Sequence, residues 1–310
     1  MQSKVGIIIV TFNSQNEIDR LLDSILIQEY ENLAVYIVDN NSSDETLKLV
    51  WKFTSQLPIS ITAAGMNNGF ARGNNIGIKK AIEDGCDFVF ILNPDMQLEK
   101  ECIHLLIGRI SSEEKIGVVG SVVLFGNKNG NLIQNFGVRA NFNTQTKQIL
   151  YSNRLLDDEI PDEIYVDYVL GGAMMIRSNL LKITGLFEED YFMYNDEIDL
   201  AFRIKKAGFK TLCMRSAIVR HYHDFNKENK RGNNLMYYYI MRNRYLYFKK
   251  FHLYFNIILS LIIEISFMPL KFRWAIRKMG GLKFLKYYYS GLWDGLIGKK
   301  GIADKYFESD

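Results

Sequence analysis

The sequence predicts an α/β fold: a mostly parallel central sheet with helices on both faces, followed by a helical extension. Short, wholly apolar runs alternate with stretches whose apolar residues recur at helical spacing. The apolar runs lack the alternation of half-exposed strands, which is typical of parallel strands buried on both faces. After residue 225 the composition changes, and tyrosine, phenylalanine, lysine and arginine become dense.

Five strands are predicted in the first half, each a short apolar run. The first run follows Lys4 directly, is far too short to span a bilayer and has no features of a signal peptide. Four helices lie between the runs, and the apolar residues from Ile18 to Leu26 form a single stripe in the first of them. The strands are Val5–Val10, Leu33–Val38, Ile59–Thr62, Phe88–Leu92 and Gly117–Val123, and the helices are Asn16–Ile27, Asp44–Phe53, Asn75–Ile82 and Leu98–Ile110.

The second half is less regular. Residues 125–165 are rich in Asn and Gln and predict irregular strands with a mobile loop. A strand at Val169–Arg177, a helix at Asp196–Ala207 and a strand at Thr211–Val219 follow. We therefore expect a catalytic domain in residues 1–225 and a C-terminal extension in residues 226–310.

Charge is distributed unevenly along the chain. From Lys227 onward, 16 Lys and Arg stand against 6 Asp and Glu, a balance of +10, so the preceding residues carry −7 of the net +3. No nucleic-acid-binding motif accompanies this basic, aromatic tail, which argues against a nucleic-acid partner. Three widely spaced cysteines predict reduced thiols in a cytoplasmic protein.

The tail contains an apolar stretch, Leu253–Met268, that is shorter than a membrane-spanning helix and includes Glu264. With basic residues on both sides, it predicts peripheral attachment to an anionic membrane surface, on the cytoplasmic face. A buried helix or the interface of a homo-oligomer is the alternative.

Polar loops follow four consecutive strands. Because ligands of such sheets bind at the carboxyl ends of the strands, these loops predict a polar ligand there. No GxxxxGK[ST] sequence is present and no GxGxxG follows the first strand, so neither a P-loop nor a dinucleotide fingerprint is involved. The loops hold Thr11 to Asn13, Asp39 to Asp44, Asn67 to Asn75 and Asn93 to Asp95.

Seven motifs occur in a conventional order over residues 5–248: VTFNS, IVDNNSSDET, NNGFARGNN, LNPDM, GGAMMIRS, YFMYNDEIDLAFR and MRNR. Together they resemble glycosyltransferase family 2, especially its bacterial rhamnosyltransferase-like branch. The resemblance implies a GT-A fold, an inverting mechanism, a dTDP- or UDP-sugar donor and a Mg²⁺ or Mn²⁺ ion. It also implies a glycan or lipid-linked acceptor.

Donor-binding residues follow from the same resemblance. Asp39 matches the residue that recognises a pyrimidine base, whose imide N–H a carboxylate can accept, and Thr11 and Asn13 line the same pocket. Arg72 is expected near the base or the diphosphate, with a plain surface charge as the alternative. Gly172 lies in the segment that flanks the donor sugar, or it serves close backbone packing.

The metal-binding motif of the family is altered in this sequence. Asn93 replaces the first of two aspartates, which leaves Asp95 as the hard oxygen ligand and puts strict metal dependence in doubt. A simple turn is the alternative. His221 matches the histidine that completes the metal site, and His223 would face the same side if the strand continued. Polar loop histidines are the alternative for both.

Acidic residues from Asp196 to Asp199 resemble the motif that supplies the catalytic base. The second acid usually accepts the proton of the acceptor hydroxyl, which places that role on Glu197, with Asp196 as its rival. Helix capping is the structural alternative for Asp196. Arg242, in the MRNR motif, is a further candidate for contact with a diphosphate or a lipid phosphate, whereas the surrounding tyrosines predict packing.

The resemblance thus implies an inverting, metal-dependent hexosyltransferase of cell-surface polysaccharide synthesis, with rhamnose as a candidate sugar. Two alternatives stay open. A non-catalytic nucleotide-sugar-binding or assembly protein would be consistent with the altered metal motif. A nucleotidyltransferase would share the sheet and the metal, but the sequence has no basic signature for a triphosphate.

Overall fold

The computed structural model of the protein describes residues 2–127, 130–222, 230–270, 272–273 and 281–303. The chain divides into two compact units. The α/β unit comprises residues 1–140, 147–187 and 200–223, and the C-terminal unit comprises residues 141–146, 188–199 and 224–310. Residues 141–146 and 188–199 thus belong to the C-terminal unit, although they precede the expected boundary at residue 225.

The α/β unit is built on one mixed sheet with the strand order β10-β12-β6-β11-β4-β1-β2-β3. Strands β1 to β4 are parallel, and β6 is parallel to β12, whereas β11 runs antiparallel between β4 and β6. The strands are β1 Val5–Thr11, β2 Leu33–Asp39, β3 Ile59–Ala63, β4 Phe88–Leu92, β5 Met96–Leu98, β6 Ile116–Phe125, β7 Ile133–Asn135, β8 Val138–Asn141, β9 Thr146–Ile149, β10 Glu163–Val166, β11 Ala173–Arg177 and β12 Lys210–His221.

Helices cover both faces of this sheet, as predicted. Ile7 and Ile9 of β1 belong to one buried cluster, which includes residues of the first, second and fourth helices, while Ile8 belongs to the cluster on the opposite face. Fully apolar strands are therefore required, because neither face is open to water. The helices are α1 Ile18–Leu26, α2 Thr46–Phe53, α3 Gly69–Glu83, α4 Cys102–Ser112, α5 Ser178–Thr184, α6 Asp196–Lys206, α7 Lys230–Lys250, α8 Tyr254–Ser266 and α9 Leu282–Ile297.

Helix α3 begins six residues before the predicted start at Asn75. The backbone N–H of Gly69 donates to Asn67 Oδ1 at 2.9 Å, which fixes the first turn. Further along, a Cβ atom at Gly77 would lie 2.6 Å from Ile8 Cγ2. Glycine is needed there because the helix lies directly on the sheet.

Two predicted elements differ from the structure in their bounds. Leu98, predicted to open a helix, instead ends the short strand β5, which pairs with β12, and α4 begins only at Cys102. The predicted strand at Val169–Arg177 is regular only in β11. The segment predicted to be irregular contains four short strands, β7 to β10, and the three cysteines are buried and free.

The C-terminal unit contains α7, α8 and α9, of which α7 and α9 lie against each other. A Cβ atom at Gly291 would lie 2.3 Å from Tyr238 O, and one at Gly295 would lie 2.5 Å from Arg242 O. Backbone-to-backbone packing this close is possible only with glycine. Around it, Tyr238, Tyr239 and Tyr287 form an aromatic core with Phe192, as the packing alternative for the tyrosines predicted.

Helix α8 is inverted relative to an ordinary amphipathic helix. Its two buried residues are polar: Ser260 Oγ lies 3.1 Å from Tyr245 Oη, and Glu264 accepts a hydrogen bond from Tyr288 Oη at 2.9 Å. Its exposed face is apolar. In the described part of the chain, no helix is both long and apolar enough to cross a bilayer. The exposed apolar side chains of α8 are Tyr254, Phe255, Ile258, Leu259, Ile262, Ile263 and Ile265.

Candidate active site

Asp39 and Thr11 lie side by side at the ends of two parallel strands. The β1–β2 register pairs these two residues, and Thr11 Oγ1 donates to Asp39 Oδ1 at 2.8 Å. Ser42 donates from its hydroxyl to the same oxygen at 2.6 Å and from its backbone N–H to Oδ2 at 2.9 Å. A carboxylate has about four acceptor positions, so these three hydrogen bonds leave room on Oδ2 for one further donor.

The neighbouring loops are joined to each other by side-chain amides. Asn13, with a positive φ of 52°, accepts from the backbone N–H of Ser43 at 2.8 Å. Asn40 is buried and donates to Gly69 O at 3.0 Å, which connects the second loop to the start of α3. Three of the four loops predicted to gather at one edge of the sheet are therefore in contact there.

Arg72 lies in the first turn of α3 and is exposed. Its position at the strand-end side of the sheet is compatible with contact to an anionic ligand. The surface-charge alternative also stays open.

Asp95 and His221 face each other within the α/β unit. Asp95 Oδ2 lies 2.9 Å from His221 Nε2, and both side chains are largely buried. The strand pairing explains this contact, because β5 runs antiparallel to β12 with Met96 opposite His221. The two residues are 126 positions apart in the sequence, and the resemblance to the family had assigned both to the same metal site.

A third residue, Gln134 of β7, orients His221. Its Oε1 lies 2.8 Å from His221 Nδ1, while Asp95 Oδ2 lies 2.9 Å from Nε2, so each ring nitrogen has an oxygen partner that fixes the orientation of the imidazole. Gln134 was missed at the sequence level because it lies in the segment interpreted as irregular.

The Asn93-Pro94-Asp95 sequence forms a turn and also positions Asp95. Met96 N donates to Asn93 O at 3.1 Å, as in a β-turn with proline second. Asn93 N donates to Gly172 O at 3.2 Å, and a Cβ atom at Gly172 would lie 2.3 Å from Met96 Cε. A side chain at Gly172 would therefore have to displace the tip of Met96.

Glu17, just before α1, adds a second carboxylate to this region and was not singled out from the sequence. Burial and then the negative charge of Asp95 raise the pKa of Glu17 above its ordinary value. Its signal in the sequence was weak, since an acid preceding a helix is commonly a structural residue.

Among the described residues, no group of three or more His, Cys, Asp or Glu side chains is placed to hold a metal ion. One carboxylate and one imidazole, however, suit an ion that also takes oxygen ligands from a bound diphosphate, as Mg²⁺ commonly does. Asp95 and His221 thus fit a Mg²⁺ or Mn²⁺ ion that they would share with the oxygen atoms of a bound diphosphate. His223 lies outside the described residues.

The acidic motif lies at the start of α6, where Asp196 to Asp199 belong to the C-terminal unit. Asp196 is buried and Glu197 is half-buried. Burial, and then the charge of the adjacent Glu197, raise the pKa of Asp196 well above its ordinary value. Asp196 is thus the more deeply buried acid of the pair, and Glu197 is the one with access to solvent.

Asp199 is held differently from the pair. It is fully buried, and Lys250 Nζ donates to its two oxygens at 2.9 and 2.8 Å, while Tyr191 Oη donates at 2.9 Å. Lys250 also donates to Glu188 at 2.6 Å. This network ties the start of α6 to the end of α7, which supports a structural role for Asp199.

Arg242 is fully buried in the C-terminal unit. Its guanidinium donates to backbone carbonyl oxygens, including Tyr191 O at 2.8 Å and Gly301 O at 2.5 Å. It also lies 4.7 Å from the ring centroid of Tyr239. This placement favours packing and backbone support over contact with a phosphate.

Polar loops at the carboxyl ends of parallel strands, an acceptor position at Asp39 and a carboxylate–imidazole pair beyond β4 characterise an α/β protein with the GT-A fold. The chain belongs to glycosyl transferase family 2, whose family model matches residues 6–181. The sequence-based assignment of family and fold is thereby confirmed.

Individual relatives are distant. The chain is 26% identical over 211 residues to the low-salt glycan biosynthesis hexosyltransferase Agl10 of Haloferax volcanii, which covers 66% of this chain and 63% of that protein, just under two thirds. It is 24% identical to the N-acetylglucosaminyl-diphospho-decaprenol L-rhamnosyltransferase of Mycobacterium tuberculosis, over 72% of this chain and 77% of that one. The crystal structure of S. aureus TarS 1-349 with UDP-GlcNAc superposes with a TM-score of 0.62 at 18% identity, over 96% of this chain and 81% of that one.

Proposed function

We propose that the protein is an inverting glycosyltransferase that moves a sugar from a dTDP- or UDP-sugar to a hydroxyl group of a glycan or lipid-linked oligosaccharide. The observation that carries the proposal is the acceptor position on Asp39 Oδ2, at the end of β2. The imide N–H of uracil or thymine can donate to it, whereas cytosine and adenine have an acceptor nitrogen at the corresponding position of the ring. Rhamnose as the sugar is supported by the similar mycobacterial rhamnosyltransferase.

Glu197 is the proposed base. The acceptor oxygen attacks the anomeric carbon as its proton passes to Glu197, and the bond from that carbon to the diphosphate breaks with both electrons staying on the diphosphate. Burial raises the pKa of Asp196 well above its ordinary value, which makes it the poorer proton acceptor of the two. Two adjacent acids in different environments can in this way have different roles.

Asp95 and His221 are the proposed binding residues for a divalent cation near the diphosphate. Mg²⁺ or Mn²⁺ supplies charge stabilisation for the departing diphosphate when bound. With a cation bound, Nδ1 of His221 would donate to Gln134 Oε1 and leave the lone pair of Nε2 to serve as a ligand, and Asn93 holds the turn that carries Asp95.

A donor screen tests this function. Purified protein is incubated with dTDP- and UDP-sugars, with and without Mn²⁺ or Mg²⁺, and nucleotide binding is measured by calorimetry alongside donor turnover. We expect binding of a pyrimidine nucleotide sugar and slow donor hydrolysis that the metal accelerates. Binding without turnover in the presence of acceptor glycans would indicate a non-catalytic binding protein, and pyrophosphate release from a nucleoside triphosphate would indicate a nucleotidyltransferase.

We propose further that the C-terminal unit attaches to an anionic membrane, at the cytoplasmic face where lipid-linked glycans are assembled. The inverted helix α8 supports this, since its polar residues bond inside the unit and its apolar face points outward. Charge complementarity supports it too. Among the residues described from 253 on, the acids Glu264 and Asp294 are buried, and the charged residues that are exposed are basic: Arg273, Lys283, Lys286, Lys299 and Lys300.

Vesicle sedimentation tests the attachment. The protein should bind vesicles of anionic phosphatidylglycerol at low salt, and less well at high salt or on neutral phosphatidylcholine. Ile258→Glu with Ile262→Glu should lower vesicle affinity at least about tenfold. Ile183→Glu is the matched control, because Ile183 is an exposed isoleucine of the α/β unit. A dimer in solution that the double variant dissociates, without vesicle binding, would assign the face to a second copy instead.

A further inference from the structure

The segment immediately before the acid pair has a strained backbone. Phe192 has φ 65° and ψ −56°, and Met193 N donates to Tyr191 O at 2.8 Å, which together form the rare classic γ-turn. Tyr194 and Asn195 follow with φ of 64° and 68°. Non-glycine residues rarely adopt such conformations unless their surroundings impose them.

Asn243 of α7 bonds to this segment along its length. Its side-chain Nδ2 lies 3.1 Å from Tyr191 O, 2.8 Å from Met193 O and 2.9 Å from Tyr194 O. Asn243 is fully buried. The two N–H groups of one side-chain amide are thus shared among three backbone carbonyl oxygens of this segment. Backbone carbonyl groups need such donors where no helix or strand supplies them.

Arg242 fixes which way that amide points. Its Nε donates to Asn243 Oδ1 at 3.0 Å, so the oxygen of the amide faces the guanidinium and the nitrogen faces the carbonyl groups. Arg242 Nη2 donates to Tyr191 O as well, at 2.8 Å. The carbonyl group that closes the γ-turn therefore receives donors from both residues.

The same helix supports the neighbouring turn. Arg244 Nη2 donates to Thr144 O at 3.0 Å, and Gln145, with a positive φ of 55°, accepts from Asn195 Nδ2 at 3.0 Å. Asn195 O in turn accepts the backbone N–H of Asp199, the bond that begins α6. The strained segment is thus held at Tyr191 to Tyr194 and again at Asn195, directly before Asp196.

We infer that Asn243, oriented by Arg242, is a positioning residue that holds segment 191–195 in its left-handed conformation and thereby sets the place of the Asp196–Glu197 pair. The MRNR motif then acts on the backbone before the base, not on a phosphate. This inference rests on the proposed role of Glu197 for its kinetic consequence, but its structural part does not depend on any activity.

Asn243→Ala and Asn243→Asp test the inference. Alanine removes the donors, and aspartate keeps the shape but sets a carboxylate against three carbonyl oxygens. We expect kcat to fall about 10- to 100-fold, with donor KM and nucleotide affinity within twofold of wild type, because a small displacement of a reacting group has effects of this size. Backbone hydrogen exchange over residues 191–199 should become at least about tenfold faster.

Tyr245→Phe is the matched control. It removes a buried hydroxyl group of the same helix, which contacts Ser260 and not the strained segment. It should lower the thermal midpoint without changing kcat or exchange over residues 191–199. Arg242→Lys, which loses the bond from Nε to Asn243, should give an intermediate kcat and provides a milder variant if the alanine change prevents folding.

The outcomes separate the two ideas. Unchanged exchange over residues 191–199 in both Asn243 variants overturns the positioning role, whether or not the protein transfers sugars. Faster exchange with kcat within twofold of wild type also overturns it, since the held conformation would then not matter to the base. A wild-type protein with no turnover on any donor contradicts the proposed function and leaves the exchange measurement to decide the role of Asn243.

Discussion

Asp39 in the α/β unit and Asp196 in the C-terminal unit are almost equally buried, at 2% and 1% exposure, yet their surroundings differ. Asp39 accepts three hydrogen bonds from Thr11 and Ser42. Asp196 lies against another carboxyl group, and its pKa is raised by burial and by Glu197. Burial alone therefore does not define what a carboxylate does. The neighbouring groups decide whether a buried carboxyl group accepts a hydrogen bond from a ligand or has its pKa raised.

The largest effect is expected at Glu197. Glu197→Gln keeps the size of the side chain but cannot accept a proton, so kcat should fall about a thousandfold, within the usual contribution of a general base. Nucleotide affinity should stay unchanged, because the nucleobase is proposed to bind at Asp39 and not at Glu197. Kinetics with saturating donor and calorimetry with UDP or dTDP measure the two quantities. An active Glu197→Gln enzyme beside an inactive Asp196→Asn enzyme would move the base by one position.

Asp95→Ala should have the next largest effect, a loss of about 100-fold in transfer, because the diphosphate would lose its metal-binding carboxylate. Mn²⁺ affinity, measured by electron paramagnetic resonance in the presence of UDP, should fall in parallel. Gln134→Ala serves as the graded comparison, with a 10- to 100-fold loss of Mn²⁺ affinity, as expected of a residue that orients a ligand. Unaltered Mn²⁺ binding in Asp95→Ala would exclude the proposed metal site.

Asp39→Asn should weaken pyrimidine nucleotide binding about tenfold or more, since the amide cannot offer two acceptor oxygens to an imide N–H and two residues at once. Thr11→Val removes one of the three hydrogen bonds to Asp39 and should lower nucleotide affinity by a smaller factor than Asp39→Asn. Calorimetric titration with UDP, dTDP and ADP gives the comparison. Equal losses for ADP and UDP would argue against base recognition at this position.

The smallest effect concerns stability at Asp196. Since folding raises the pKa of Asp196, the folded chain retains a proton that the unfolded chain releases near pH 3.8. The free energy of unfolding should therefore fall as pH rises from that value through the folded pKa, by about 1.4 kcal/mol for each unit of the shift. Asp196→Asn lacks this dependence, so denaturant titrations should show it gaining stability relative to wild type as pH rises. Parallel pH curves would contradict the prediction.

Sequence patterns were informative where a residue's role depends on its place in a strand. The positions of Asp39 and Asp95 were predictable because each follows a buried apolar run, and parallel strands place such residues at one edge. Their proposed roles, and that of His221 just after another strand, came from the resemblance to the family. In these cases the period of the pattern and the topology of the sheet fix the position.

Other residues were inaccessible to this reasoning because their roles arise from distant pairing. Gln134 acts through a contact between β7 and β12, in a stretch whose strands are only three or four residues long. Asn243 bonds to carbonyl groups about 50 residues earlier. The left-handed backbone there, at residues such as Phe192 and Tyr194, is not one that these residue types prefer, so the sequence does not predict it. The MRNR motif was visible, but its partner was main chain and therefore had no sequence signature.

The outward apolar face of α8 also bears on the order of synthesis. Tyr254 is the first residue of this helix, so the α/β unit has been translated in full before the face leaves the ribosome. Domains generally fold as units in the direction of synthesis, and exposed apolar surface is most hazardous in chains that are still unfolded. Because α8 comes late in the chain, the α/β unit can fold before the exposed apolar face of α8 is synthesised.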